Sequence, residues 1–126
     1  MKIEFRDGLL FTSIEIKYMG KSKVIDNIVI DTGAAQSLFS QESVDDIGLK
    51  VHGEDEIVAS YGIGGKEFTF VKAVDSIKIG NFSVDSIPLD FTIFQYDDIN
   101  GLLGLDLLMK AEFIIDLKSL EMYISK

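Results

Sequence analysis

The 126 residues are 47% hydrophobic and include nine Phe, enough to bury a core in one domain and too short for two ordinary ones. A net charge of −9, from 12 basic and 21 acidic residues, argues against a phosphate-neutralising nucleic-acid binder and suits neutral or cationic partners. With no cysteine there is neither a disulfide framework nor a thiolate nucleophile, and the one histidine, His52, stands beside no nucleophile that a Ser-His-Asp triad would need.

Met1–Asp7 alternates charged and apolar residues, unlike a signal peptide, and no later apolar run approaches the roughly 18 residues of a membrane span. An intracellular, cytoplasmic protein without a membrane partner is expected. Short apolar segments, interrupted by the single Pro88, point to an all-β domain covering 1–126. Residues 9–18 alternate in their second half, with Ile14, Ile16 and Tyr18 set against Glu15 and Lys17. Met19–Ser22 reads as a turn, and 23–30 returns as the second strand of a hairpin.

That strand ends in the stretch around which the chain is organised, Ile28-Val29-Ile30-Asp31-Thr32-Gly33-Ala34-Ala35-Gln36-Ser37. Three branched apolar residues suit a pleated core. An acid at the end of a buried strand is costly unless it is hydrogen-bonded or has work to do. Gly33 permits a tight turn and close approach of another chain, and two alanines keep the walls low. On its own, Asp-Thr-Gly also fits a strand ending in a solvated turn, so the rest of the chain has to decide.

After it, Ser40–Ser43 opens a short helix with Ser40 as N-cap and Gly48 as its stop. Residues 56–79 read as a long hairpin with its tip at Tyr61-Gly62-Ile63-Gly64-Gly65, either a floppy loop or a glycine-hinged flap presenting Ile63. Gly80-Asn81 turns the chain into a strand over 82–93, and Tyr96-Asp97-Asp98 is a polar loop. Ile99–Gly104 followed by Leu105–Lys110 repeats strand, glycine turn and short helix in weaker form. A terminal hairpin over 112–117 and 120–125 turns at Lys118-Ser119.

Three elements in this order, Ile-Val-Ile-Asp-Thr-Gly-Ala-Ala at 28–35, Gly-Ile-Gly-Gly at 62–65 and Leu-Leu-Gly-Leu-Asp at 102–106, resemble the retropepsin-like aspartic proteases. The resemblance covers about residues 9 to 125. It implies a closed acid-protease barrel of the single-lobe type with one or two short helices. The chemistry adds its own argument. Hydrolysing a peptide bond with carboxylates takes two of them, one to deprotonate water and one protonated to hydrogen-bond the carbonyl oxygen. The chain has one Asp-Thr-Gly, and the second strand-glycine-helix unit carries Asn100-Gly101-Leu102-Leu103-Gly104 where a second acid belongs. A homodimer around a two-fold axis, each chain donating Asp31, is therefore expected.

By resemblance, paired Asp31 carboxylates hold the attacking water, and neither cofactor nor metal is needed. The two acids are too close for both to ionise comfortably. Thr32 reaches across the two-fold, Gly33 offers its carbonyl to the substrate, and Ala34 leaves room for it. Gly62, Gly64 and Gly65 hinge the flap with Ile63 at its tip, while Leu102 and Leu38 stand as pocket walls. A peptide or protein substrate would lie extended between flap and acids. Gly104 packs beneath the catalytic loop, and Asp106 caps its helix or bonds backbone. The viral enzymes' acid–arginine brace is missing, since Ala35 and Leu105 occupy those places. Segments 1–5 and 120–125 are expected to form an intermolecular sheet.

The expected function is a homodimeric aspartic endopeptidase. The alternative is a retropepsin-like peptide-binding or dimerisation module with little or no turnover. A metal site built from Asp31, Asp97 and Asp98 lacks companion ligands at recognisable spacing.

Overall fold

A computed structural model describes residues 1–62, 65–93 and 98–125, with the backbone alone described at 60–62 and 65–67. Strands β1 (Glu4–Arg6) and β2 (Leu9–Tyr18) are joined by Asp7-Gly8, and β2 joins β3 (Lys21–Ile30) by Met19-Gly20. Both residues of each two-residue loop have positive φ (+54° and +79°, then +48° and +84°), the primed-turn geometry that matches strand twist. The predicted Met19–Ser22 turn is therefore shorter than expected, because Lys21 and Ser22 already pair in the ladder with Tyr18 and Lys17.

β3 does not run straight to Asp31. Its register against β2 shifts between Thr12 and Ile14, and Asn27 there takes φ +60°, a left-handed conformation Asn tolerates. The irregularity is pinned on three sides. Arg6 Nη2 donates to Asn27 Oδ1 (2.7 Å), Asn100 N–H donates to Asn27 O (2.9 Å), and Asn100 Nδ2 donates to Asp26 O (2.9 Å). Beyond it, Ile28, Val29 and Ile30 lie parallel to Gly101, Leu102 and Leu103 of β8 (Gly101–Leu103).

β8 sits between β3 and β4 (Leu38–Ser40), pairing parallel with the first and antiparallel with the second. β4 then lies parallel to β7 (Phe82–Thr92), which pairs with β6 (Gly65–Ile79), and β6 pairs with β5 (Ile57–Gly62) as a ribbon. An additional β2–β6 pairing, Glu15 to Lys17 against Lys78 to Ser76, joins the two ends. β2, β3, β8, β4, β7 and β6 thus form a closed ring, the expected single-lobe all-β architecture. Closing a sheet removes the edges that would otherwise pair with other chains.

Inside the ring, Phe39, Phe91, Ile16, Ile28, Ile77 and Leu103 are fully buried. Phe70 stacks on Phe91 at 5.6 Å between ring centroids, and Phe39 tilts against Phe91 at 6.2 Å, welding β4, β6 and β7 together. Helix α1 (Gln41–Val44) runs into a 3-10 turn over Asp45–Ile47 and stops at Gly48, φ +84°, as expected. Ser40 precedes the helix in extended conformation, but its side chain makes no capping bond. It belongs to β4, where its N–H donates to Asn100 O (2.9 Å).

α2 (Leu105–Ala111) buries Leu107, Leu108 and Ala111, and β9 (Phe113–Asp116) and β10 (Glu121–Ile124) form the terminal hairpin. The chain ends meet each other within one protomer. Met122 N–H donates to Met1 O, Ile3 N–H donates to Leu120 O, and Lys2 bridges Glu121. Segments 1–5 and 120–125, expected to form an intermolecular sheet, thus touch each other within the protomer around Met1–Ile3 and Leu120–Met122. Among the described residues no helix is long and apolar enough to cross a membrane.

β8 fits only because Gly101 has no side chain. A Cβ there would fall 2.8 Å from Ile28 Cδ1 and 2.9 Å from Leu38 O. Gly101→Ala should therefore destabilise the fold by about 1–3 kcal/mol, measured as a lower urea midpoint at unchanged slope. A midpoint equal to wild type would contradict this packing.

Candidate functional site

Asp31 leaves β3 one residue after the ladder with β8, its N–H donating to Leu103 O (2.9 Å). Ile30 is in the core, so strand alternation puts the half-buried Asp31 on the outer face. Its Oδ1 accepts the Gly33 N–H (3.0 Å), and its carbonyl accepts the Ala34 N–H (3.2 Å), which curls the loop tightly. A Cβ on Gly33 would stand 3.2 Å from that same Oδ1, so glycine keeps space beside the carboxylate. Thr32 is exposed, and its hydroxyl has no hydrogen bond among the described residues.

The loop is fastened from beneath. In the parallel register Gly104 falls opposite Asp31, one step beyond the Ile30–Leu103 pair. A Cβ on Gly104 would meet Ala34 O and Gln36 C at 2.8 Å and Gln36 O at 2.9 Å, so no other residue fits without moving the loop. Leu105 N–H donates to Ala34 O (2.8 Å) and Asp106 N–H to Ala35 O (3.2 Å). Ser37, only 3% exposed, ties the two turns together. Its Oγ–H donates to Asp106 Oδ1 (2.6 Å), its N–H donates to the same oxygen (3.0 Å), and its Oγ accepts the Gly104 N–H (2.9 Å). Asp106 Oδ1 also accepts the N–H of Leu107 (2.9 Å), so one oxygen serves both helix and loop.

The structure thus brings Asp31, Thr32, Gly33 and Ala34 into one braced turn, with Leu102 on the adjacent strand. Leu102 and Leu38 are register partners across β8 and β4 and both are half-buried on the outer face. Gly62 ends β5, at the far end of the ribbon, where it pairs with Gly65. Ile63, Gly64 and Asp97 lie outside the described residues. Sequence reasoning did not give Ser37 its role, although it is the lone hydroxyl between Asp-Thr-Gly and an apolar strand.

A residue that drew no attention in the sequence also faces this surface. Asp90 is the register partner of Leu38 on β7, half-buried between the core residues Leu89 and Phe91. Burial, with smaller contributions from Asp106 and Glu56, holds its carboxyl above the usual carboxylate range. At the root of the β5–β6 ribbon, Lys72 Nζ donates to both oxygens of Asp55 (2.9 and 2.8 Å) and lies 2.9 Å from His52 Nδ1. The Lys72 and Asp55 side chains are 11% and 14% exposed. Hydrogen bonding from Lys72, then from the His52 backbone, holds the Asp55 carboxyl below its ordinary range.

The sequence model of the aspartyl protease family matches residues 14–107, from β2 through the Asp31 loop to α2. The chain belongs to this family. Among solved structures, this aspartyl protease family member is similar to a retropepsin-like aspartic protease from Rickettsia conorii. They are 21% identical with a TM-score of 0.67, covering 94% of this chain and 83% of that one. It is also similar to the EIAV protease complexed with the inhibitor HBY-793, at 20% identity and TM-score 0.63, over 90% of this chain and 98% of that one. The retroviral protease-like domain of Ddi1 from Leishmania major matches at 16% identity and TM-score 0.59, over 94% and 89%. At such identities the likeness establishes a shared retropepsin-like fold. No curated protein matches the chain in sequence.

Ser37→Ala removes a donor to Asp106 and the acceptor of a buried N–H, so it should cost about 1–3 kcal/mol of folding stability by urea denaturation. For Asp55 the folded carboxyl ionises below its unfolded value of about 3.9, so its contribution is present above that pH and disappears as pH falls through the folded value. The melting-temperature gap between wild type and Asp55→Asn should therefore be wide at neutral pH and narrow in acid. A gap that stays constant would show that this ion pair does not support the fold.

Proposed function

We propose that the chain is an aspartic endopeptidase active as a homodimer, in which each protomer supplies Asp31 to one shared pair of carboxylates. The observation that carries this reading is the chain's single Asp-Thr-Gly, held on a rigidly braced turn on the outer face of a closed ring. The equivalent place on the neighbouring strand is Gly104, which cannot carry a side chain. Membership of the aspartyl protease family and the retropepsin-like fold support it.

In this reading one carboxylate takes a proton from water while the other, protonated, hydrogen-bonds the substrate carbonyl oxygen. The proton passed to the leaving nitrogen completes hydrolysis, and no cofactor enters. Thr32, whose hydroxyl has no hydrogen-bond partner among the described residues, bonds the partner's loop and keeps the two acids coplanar. Gly33 presents its carbonyl to the substrate backbone and Ala34 clears space for it. Leu102 and Leu38 form apolar walls. The β5–β6 ribbon closes from above as a flap, hinged at Gly62 and Gly64 with Ile63 at its tip.

The test is Asp31→Asn. Cleavage of a general peptide library should fall by roughly 10²–10⁴-fold or more, while melting temperature and sedimentation as a dimer stay unchanged. In the wild type, specific activity should fall on dilution as dimers separate. Full activity in the Asn variant, or activity from a species that is monomeric at every concentration, would remove the proposal. A dimer that captures peptides without ever cutting them would favour the binding-module reading.

A further inference from the structure

We infer that Asp90 gives this site a cation-accepting position, so that the substrate carries a lysine or arginine where its side chain lies over β4 and β7. The inference deepens the protease reading and rests on it. It begins from register. Leu102 pairs with Leu38, Leu38 with Asp90, and Asp90 with Val71, which draws one continuous row across β8, β4, β7 and β6. Paired residues on neighbouring strands share a face. All four side chains are half-buried, while their flanking neighbours Leu103, Phe39, Phe91 and Phe70 lie in the core, so the row faces outward.

This is the face that bears Asp31, which follows Ile30 and so points to the same side as Leu102. A peptide held against Asp31 would lay a side chain across this row. Three of its members are apolar and one is an acid. Among the described residues the Asp90 carboxylate has neither hydrogen bond nor ion pair, and the nearby Lys72 is committed to Asp55. Among the described residues no buried side-chain nitrogen or oxygen lacks a hydrogen-bond partner, whereas the half-buried Asp90 carboxylate stays within reach of solvent and is open to a partner from outside.

Burial, then the neighbouring charges of Asp106 and Glu56, make its ionised form less favourable than that of a free carboxylate. An arriving ammonium or guanidinium offsets these penalties by direct attraction, in surroundings drier than bulk water, where opposite charges attract more strongly. The net charge of −9 draws cationic peptides towards the surface in general. Asp90, set among Leu102, Leu38 and Val71, calls for the cation at the end of an apolar stem. Lysine and arginine side chains have that shape.

The experiment scans each position flanking the cleaved bond with peptide pairs that differ only in lysine or norleucine. Cleavage is measured for wild type, Asp90→Asn and Asp90→Leu, and affinity with reduced-amide versions that cannot be cut. At one position wild type should prefer lysine about tenfold or more in kcat/KM and in affinity. Asp90→Asn, which keeps the shape, should erase the preference, and Asp90→Leu should reverse it. Cleavage without a lysine preference, or a preference that survives both variants, overturns the inference and leaves the protease standing. Lysine-selective binding that depends on Asp90 without cleavage overturns the protease and keeps the recognition. Neither binding nor cleavage overturns both.

Discussion

The hydroxyl of Ser37 stands between two turns and holds them as one. It donates to Asp106, accepts from the Gly104 N–H, and sits in a position almost closed to solvent. The two turns start from parallel strands that end side by side, so without this knot their backbone groups would compete for water at the mouth of the barrel. With it, every strut beneath the Asp31 loop comes from the second glycine turn. The cost falls on that second turn, which gives up any side chain at 104 to let the first pack against it. One half of an internal repeat has become a pedestal for the other.

The brace explains the chain's tolerance of small and apolar residues where an acid and an arginine were missing. Ala34 and Ala35 contribute carbonyl oxygens, and Leu105 and Asp106 contribute N–H groups. Main-chain bonds ask nothing of side-chain identity, so Ala35 and Leu105 take part in them without a charged side chain. The same bonds lie inside one protomer. They stiffen the loop from within.

What could be read from the sequence follows from how local each feature is. The strand before Asp31, a turn beginning at Met19-Gly20, the Gly48 stop and α2 depend on neighbours a few residues away, and the residues announce them. β4 did not announce itself, because three residues, Leu38 to Ser40, are too short to show a period. Its strand identity comes from β8 and β7 on either side. The same is true of Asn27, whose left-handed conformation is held by Arg6 and Asn100 from distant parts of the chain. Ring closure between β2 and β6 is likewise a long-range pairing. Ser40 had the sequence of a cap and stands at the N-cap position, but it also ends β4, and its side chain makes no capping bond. Within the site, Asp31 to Ala34 and Leu102 were legible as a motif. Ser37 and Asp90 were not, since each acquires its meaning from a partner more than fifty residues away, Asp106 for the first and Leu38 for the second.

The distribution of satisfied and unsatisfied polar groups separates what the fold needs from what it carries. Ser37, Asp106, Asn27 and Asn100 are all bonded, and each secures a junction between strands. Asp55 and Lys72 secure the root of the ribbon in the same way. By contrast, the Thr32 hydroxyl and the Asp90 carboxylate have no hydrogen-bond partner among the described residues, and Asp31 engages only one oxygen, through Gly33. A chain selected for stability alone would bond or discard such groups, because a partly desolvated carboxylate in an apolar row works against folding. Here they collect on one outward face, on elements that the bonded groups hold rigid. Groups left over in that way are placed for something that arrives from outside the protomer, and the braced turn beneath Asp31 ensures that it meets them in a fixed geometry.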